Sequence, residues 1–270
     1  MTISQVPDTF ASVMGLGTVQ QVYPLRKTNK WGNVVAAVVL LGGAAAVLVG
    51  GLWYTYDQWQ HFGPAIVGRT IIPVLLFTVI LFALGAWAAW AAYSNWKRAA
   101  VLYMNGLAYS DRKGVQAWRW DEVASLTSAV TKHYTNGIYT GTTHTYTLLK
   151  NDGSRIVLGD TISNVEELSN RIREKIFPLL YKRYADAYNS GQRVLFGPVA
   201  ISKSEGLQVG KKAYPWDQVE KIAIHQGFIK ISKRDGGWFS GANVAASTIP
   251  NVELLISIVD QVVGVKAGKA

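Results

Sequence analysis

Cysteine is absent from all 270 residues, which excludes disulfides, thiolate metal centres and a cysteine nucleophile and fits a reducing compartment. Histidine is nearly absent too, and four imidazoles give little material for acid–base or metal chemistry. Acid is scarce: 17 Asp and Glu stand against 27 Lys and Arg, a formal charge of +10. Two stretches, Val34 to Tyr54 and Ile71 to Tyr93, carry no charge at all. Each is long enough to cross a hydrocarbon core of about 30 Å, which takes roughly 20 apolar residues in a helix.

Two such runs side by side predict a transmembrane helical hairpin within residues 31–93, with spans at 34–54 and 71–93. The tail 1–30 is polar and places Arg26, Lys27 and Lys30 before the first span, too far along for a cleaved secretory signal. Lys97, Arg98, Arg112 and Lys113 follow the second span, whereas the loop from Thr55 to Thr70 holds only Asp57 and Arg69. That bias predicts a multi-pass plasma-membrane (inner-membrane) protein with both termini cytoplasmic. Trp31, Trp53, Tyr54, Tyr56 and Trp59 bracket the first span, and Trp87, Trp90, Tyr93 and Trp96 crowd one end of the second, where amphipathic rings favour the headgroup level. Gly42, Ala46 and Gly50 lie four apart on one face of the first span, so helices can approach closely there, either within one chain or between two.

From Ser94 the pattern changes to short alternating strands, a long amphipathic helix, strands again and a final helix. The order is a repeat. Gly106-Leu107 recurs as Gly206-Leu207, Trp120-Asp121-Glu122-Val123 as Trp216-Asp217-Gln218-Val219, Lys150-Asn151-Asp152-Gly153 as Lys233-Arg234-Asp235-Gly236, and Asn164-Val165-Glu166 as Asn251-Val252-Glu253. The Asp-Gly steps read as hairpin turns and the two Asn residues as helix N-caps. Leu168, Ile172, Ile176, Leu179 and Leu180 trace the apolar face of one helix, and Pro178 is expected to kink it. Leu254, Leu255, Ile258, Val259 and Val262 do the same for the other. Units at 94–190 and 191–264 follow, with a tail at 265–270.

Five to seven antiparallel strands closed by one C-terminal helix is the layout of a pleckstrin-homology-like (PH-like) unit. With Leu16-Gly17 and Tyr23-Pro24 in the tail, two spans, a Gly near the first strands and the Trp-Asp-x-Val step, the chain resembles an uncharacterised bacterial membrane protein family with tandem PH-like domains. The resemblance implies a membrane-anchored α+β fold and a topology. It implies no activity and no functional residues.

No catalytic constellation, cofactor motif or metal cluster is legible. His133 and His144 flank a Thr- and Tyr-rich segment and could meet across a hairpin, but no carboxylate or Cys lies in that stretch to complete a metal site. Glu166 and Glu167 are more simply partners of a helix N-terminus. Basic charge is the remaining signal: from Ser94 onward 23 Lys and Arg face 15 Asp and Glu. Arg171, Arg173, Lys175, Lys182 and Arg183 on the long helix, and Lys211 with Lys212, are candidates for contact with an anionic leaflet. The simpler reading is a solvated helix face. Lys233, Arg234, Trp238 and Phe239 surround a glycine-rich turn, where at least one ring is expected in the core. Interleaved acids and the lack of a recognised module argue against nucleic acid. Phe10, Val13 and Met14 suggest one amphipathic turn that lies on membrane or barrel. The expectation is a membrane-bound binding or scaffolding module, not an enzyme, for a protein partner, a second copy or anionic lipid, with an accessory subunit of a larger membrane complex as the alternative.

Overall fold

The computed structural model describes residues 15–234 and 241–267, with Pro7, Phe10 and Val13 ahead of them. Two long apolar helices precede a body of antiparallel sheets and shorter helices. The first helix, α1 (Lys27–Phe62), turns through Gly63–Ile66 into α2 (Val67–Asn95). Both therefore extend beyond the runs predicted for them, and Pro73 lies inside the second helix. The helices pack along a seam with alternating spacings of three and four. Ala37, Leu41, Ala44, Leu48, Gly51 and Thr55 face Val74, Thr78, Leu81, Gly85, Ala88 and Ala92 across it, as a 3.5-residue repeat demands. A Cβ at Gly51 would overlap Val74, and one at Gly85 would lie 2.8 Å from Leu41 Cγ, so these two glycines set the close approach.

The first sheet has the order β1-β2-β3-β4, built from Val19–Pro24, Ala99–Tyr103, Gly106–Asp111 and Gly114–Arg119. Its first strand corrects the expected division at residue 30: the tail is not separate but supplies β1, pairing Val22 with Val101 and Pro24 with Ala99. Phe10 and Leu16 are buried against the outer face of this sheet with Ala99, Val101, Tyr103 and Ala108, so the apolar turn lies on the body. Met14 falls outside the described residues.

A 3₁₀ turn, Trp120–Glu122, leads into a second sheet of β5 (Val123–Thr135), β6 (Ile138–Lys150) and β7 (Arg155–Gly159). The helix α3 (Val165–Asn189) follows and passes through Pro178 without interruption. The order then recurs. Strands β8 (Val194–Phe196), β9 (Val199–Ser202), β10 (Gly206–Val209) and β11 (Lys212–Tyr214) form a four-stranded sheet. The 3₁₀ turn Trp216–Gln218 leads to β12 (Val219–His225), β13 (Phe228–Lys233) and β14 (Ala242–Ala245), and α4 (Val252–Val263) closes the series. The last residues are not a plain tail: β15 (Val265–Ala267) pairs in parallel with β12. The second Asp-Gly turn, with Trp238 and Phe239, lies outside the described residues.

The repeated residues do repeated work. Trp120 Nε1 donates to Met104 O at 3.1 Å, and Trp216 Nε1 donates to Ser202 O at 2.9 Å. Trp120 is buried and Trp216 half-buried against the same core. Gly106 and Gly206 each let a strand press against a neighbour, since a Cβ would overlap the carbonyl oxygen of Trp118 or Tyr214. Beside this likeness stands one difference. Unit 2 joins its first two strands through Gly197-Pro198, and at the same place unit 1 carries residues 25–98, the whole apolar hairpin. One hydrophobic cluster, from Tyr23 through Leu148 and Leu180 to Val259, runs through both halves of the body.

Candidate interaction site

Where the hairpin enters the body, short backbone bonds clamp it. Arg26 N donates to Thr161 O at 2.7 Å, Ser163 N donates to Pro24 O at 2.9 Å, and Leu25 bridges Ile162. On the other side the β3–β4 turn places the Arg112 guanidinium 4.8 Å from the ring centre of Trp90 on α2, a cation–π contact. Trp31 and Trp96 meet edge to face at 6.3 Å between the two helices. Both strands leading into the hairpin thus end at one level, fixed to the sheet and to the β7–α3 connection.

At that level a cleft of about 290 Å³ is lined by Arg26, His144, Asp160, Asn164 and Glu166 among others. His144 donates its backbone N–H to Asp160 Oδ2 at 2.8 Å, and its ring Nδ1 lies 3.0 Å from Asp160 Oδ1. His144 also stacks on the buried Tyr146, whose phenol burial pushes up in pKa. The two histidines considered together from the sequence are not brought together. His133 pairs across from Gly141 and His144 from Val130, and the three-residue offset from His133 to Val130 puts them on opposite faces of the β5–β6 ribbon. His133 instead contacts Thr143 Oγ1 at 2.7 Å. Among the described residues no group of three or more potential metal ligands gathers. Sequence reasoning missed Arg26 and Asp160 as neighbours of His144, because only the β1–α1 and β7–α3 connections bring them there.

The basic cluster on α3 divides. Arg171, Lys175 and Lys182 share one stripe of the helix by spacing, with Arg183 beside it. Arg171 lies 3.7 Å from Glu174. Arg173 points elsewhere and is committed: its Nε lies 3.0 Å from Glu253 Oε2 on α4, and its guanidinium also donates to Asn170 and Ser128. Lys211 and Lys212 are exposed at the β10–β11 turn. That turn is the repeat's counterpart of the one carrying Arg112 and Lys113.

Asn251 joins the halves of the body. Like Asn164 it begins its helix in the left-handed region, with φ of 50° against 53°, and neither side chain caps its own helix as the sequence suggested. Their carbonyls accept the first bonds of the two helices, from Leu168 N and from Leu254 N. The Asn251 side chain is thereby free to bind β5: Oδ1 accepts from Leu126 N at 2.9 Å and Nδ2 donates to Ala124 O at 3.1 Å. Its own N–H donates to Leu126 O at 2.9 Å. Beside this junction an apolar groove is lined by Leu126, Ile176, Phe177, Leu180 and Val252.

Gly42, Ala46 and Gly50 do not pack the hairpin. All three are exposed, and a Cβ at Gly42 or Gly50 would meet nothing within 4 Å. The seam lies one position round the helix, because residues 41, 44, 48 and 51 keep the 3.5 repeat that an interhelical seam needs whereas a strict spacing of four drifts off it.

Compared with known protein families, residues 4–266 match a family of unknown function, DUF6585. The chain belongs to that family. No curated protein matches it. The match runs through the apolar hairpin and both halves of the body, so the hairpin inserted between β1 and β2 lies inside the family's extent.

Proposed function

We propose that the chain is a membrane-anchored binding or scaffolding module, in which a two-span hairpin holds two PH-like units against the cytoplasmic face of a membrane. The observation that carries this reading is the hairpin itself. Its outward faces present Val38, Val49, Trp53, Ile72, Leu76, Phe77 and Phe82 uncovered, while only the seam is filled. An apolar surface of that extent is tolerated in lipid and not in water. Both helices are long and apolar enough to cross, with windows of mean hydropathy 2.4 and 2.5.

Orientation rests on charge. Arg26, Lys27, Lys97, Arg98, Arg112 and Lys113 lie at the body end of the hairpin, against Arg69 near the other end, which favours a cytoplasmic body. Pairing of β1 with β2 keeps both flanks of the hairpin on one side, as two crossings require. Two sheets closed by a helix, twice over, support PH-like units, and a bacterial inner membrane follows from the resemblance. In this reading the body engages a protein partner or an anionic lipid surface, with no catalytic step and no nucleic acid.

Reporter fusions at Gly63 and Ala270 test the anchoring: an outward signal at Gly63 and an inward one at Ala270 are expected, and an outward signal at Ala270 overturns the orientation. For the surface role, anionic vesicles should retain the solubilised full chain more strongly than neutral ones. Replacing Arg171, Lys175, Lys182 and Arg183 by Gln should reduce that difference and its salt dependence, whereas Arg173→Gln should not. Equal retention on both vesicle types favours a protein partner.

The uncovered stripe of Gly42, Ala46 and Gly50, with Trp87 exposed on α2, favours the second reading, an accessory subunit or a homo-oligomer packed through its spans. Native mass after mild detergent extraction separates the two, since a subunit co-purifies in a defined larger complex.

A further inference from the structure

We infer that the β5–β6 ribbon is a second membrane contact, laying its tip among anionic lipid headgroups beside the hairpin; this rests on the membrane-anchored reading above. The third strand of that sheet stops early. β7 ends at Gly159 opposite Thr145, so β5 and β6 run on alone through residues 130–144, with Thr135 opposite Ile138 at the tip. Six residues beyond the last three-stranded rung, at about 3.3 Å each, make a ribbon about 20 Å long. Every residue from Val130 to Thr140 is exposed.

Direction comes from the root. His144, the first ribbon residue past the sheet, lines the same cleft as Arg26, from which α1 departs. The ribbon leaves the body at the end where the hairpin leaves it. From Lys27 to the first apolar run at Val34 the helix rises about 10 Å, so a ribbon about 20 Å long spans that gap even when tilted.

Chemistry supplies the occupant. One face of the ribbon continues the face that inside the sheet buries Leu126, Tyr146 and Leu148, and outside it shows Val130, Lys132 and Tyr134. Tyr134 and Tyr139 meet edge to face at 5.8 Å, and Ile138, the most exposed of the group, adds an apolar corner. Amphipathic rings of this kind favour the headgroup level. Between Val123 and Asn151 there is no Asp or Glu, and the charges present are Lys132 on the ribbon and Lys150 at the other end of β6, so nothing on the ribbon repels an anionic leaflet. A water-facing ribbon with two open edges would be a pairing hazard, and a headgroup layer shields it.

The lack of native cysteine allows a direct test. Thr135→Cys at the ribbon tip, Trp53→Cys in α1 and Met104→Cys at the far end of the first sheet each receive an environment-sensitive fluorophore. The full chain is reconstituted in phosphatidylcholine vesicles containing phosphatidylglycerol. Headgroup-linked quenchers should quench the Thr135 label severalfold more than the Met104 label, and aqueous iodide should do the reverse. Adding Tyr134→Ser, Ile138→Ser and Tyr139→Ser should bring the Thr135 label to the Met104 level while quenching of the Trp53 label, at the far end of the first span, by headgroup-linked quenchers persists. A Thr135 label as exposed as Met104 with the Trp53 label quenched overturns the ribbon contact and leaves the anchoring standing. An unquenched Trp53 label removes the anchoring and the inference with it. Self-quenching between Thr135 labels of two copies, without headgroup quenching, shows the ribbon pairing with a second chain and also overturns the inference.

Discussion

Replacing Asn251 by Gly should uncouple the two halves of the body, and the repeat supplies its own control in Asn164→Gly. Both residues start a helix with φ near 50°, a conformation glycine adopts without strain, so the backbone contribution cancels in the comparison. What differs is the side chain. Asn164 is exposed, whereas Asn251 is 7% exposed and bonds to Leu126 N and Ala124 O of β5. Its loss leaves the Leu126 N–H without its acceptor beside an apolar groove. An unsatisfied buried donor costs about 1–3 kcal/mol, and the second bond adds about 1 kcal/mol, for a total of about 2–4 kcal/mol. In a body of this size that lowers the melting temperature by about 5–15 °C, readable from intrinsic tryptophan fluorescence in detergent. Asn164→Gly should move it little. Hydrogen exchange adds a local reading, since the Leu126 amide should lose protection only in the Asn251 variant. Equal melting shifts for the two variants, or a Leu126 amide still protected without Asn251, would refute the assignment of this side chain as the junction.

Two further outcomes are expected. In the hairpin, Gly51→Val overpacks against Val74 and should cost about 1–3 kcal/mol, lowering oxidative cross-linking between Gly43→Cys and Leu81→Cys, while Gly42→Val on the uncovered face should leave that cross-link unchanged. At high pH, burial with Glu167 nearby pushes the Tyr23 phenol up to about 12, so the fold favours the neutral form. The stability this provides is complete below the ordinary tyrosine pKa of about 10 and is lost as pH rises towards 12. An absorbance titration of tyrosinate should therefore show a cooperative alkaline unfolding step, which Tyr23→Phe moves to higher pH.

The repeat was legible because its landmarks answer local demands. A tryptophan that must reach a particular carbonyl, a glycine pressed against a neighbouring strand and an asparagine in the left-handed region recur wherever the same backbone recurs. The basic cluster was only half legible, since helical spacing groups Arg171, Lys175 and Lys182 but cannot show that Glu253, eighty residues after Arg173, claims that guanidinium. The small-residue stripe left its partner open for a similar reason. Spacing of four names a face of α1, and only the partner helix decides which face is used.

By itself the sequence determined the two apolar helices, the order of strands and closing helices after them and the doubling of that order, because hydrophobic period, turn residues and helix starts are properties of neighbouring residues. Only the tertiary structure decided that the tail supplies β1, so that the hairpin is an insertion between two strands of the first unit. It alone decided that Asn251 ties the second unit to β5, that His144 meets Asp160 while His133 faces away, and that β5 and β6 outrun β7. Each of these depends on which distant backbone groups find hydrogen-bond partners. That pairing is settled by satisfying buried N–H and C=O groups across the whole body, and no local pattern encodes it.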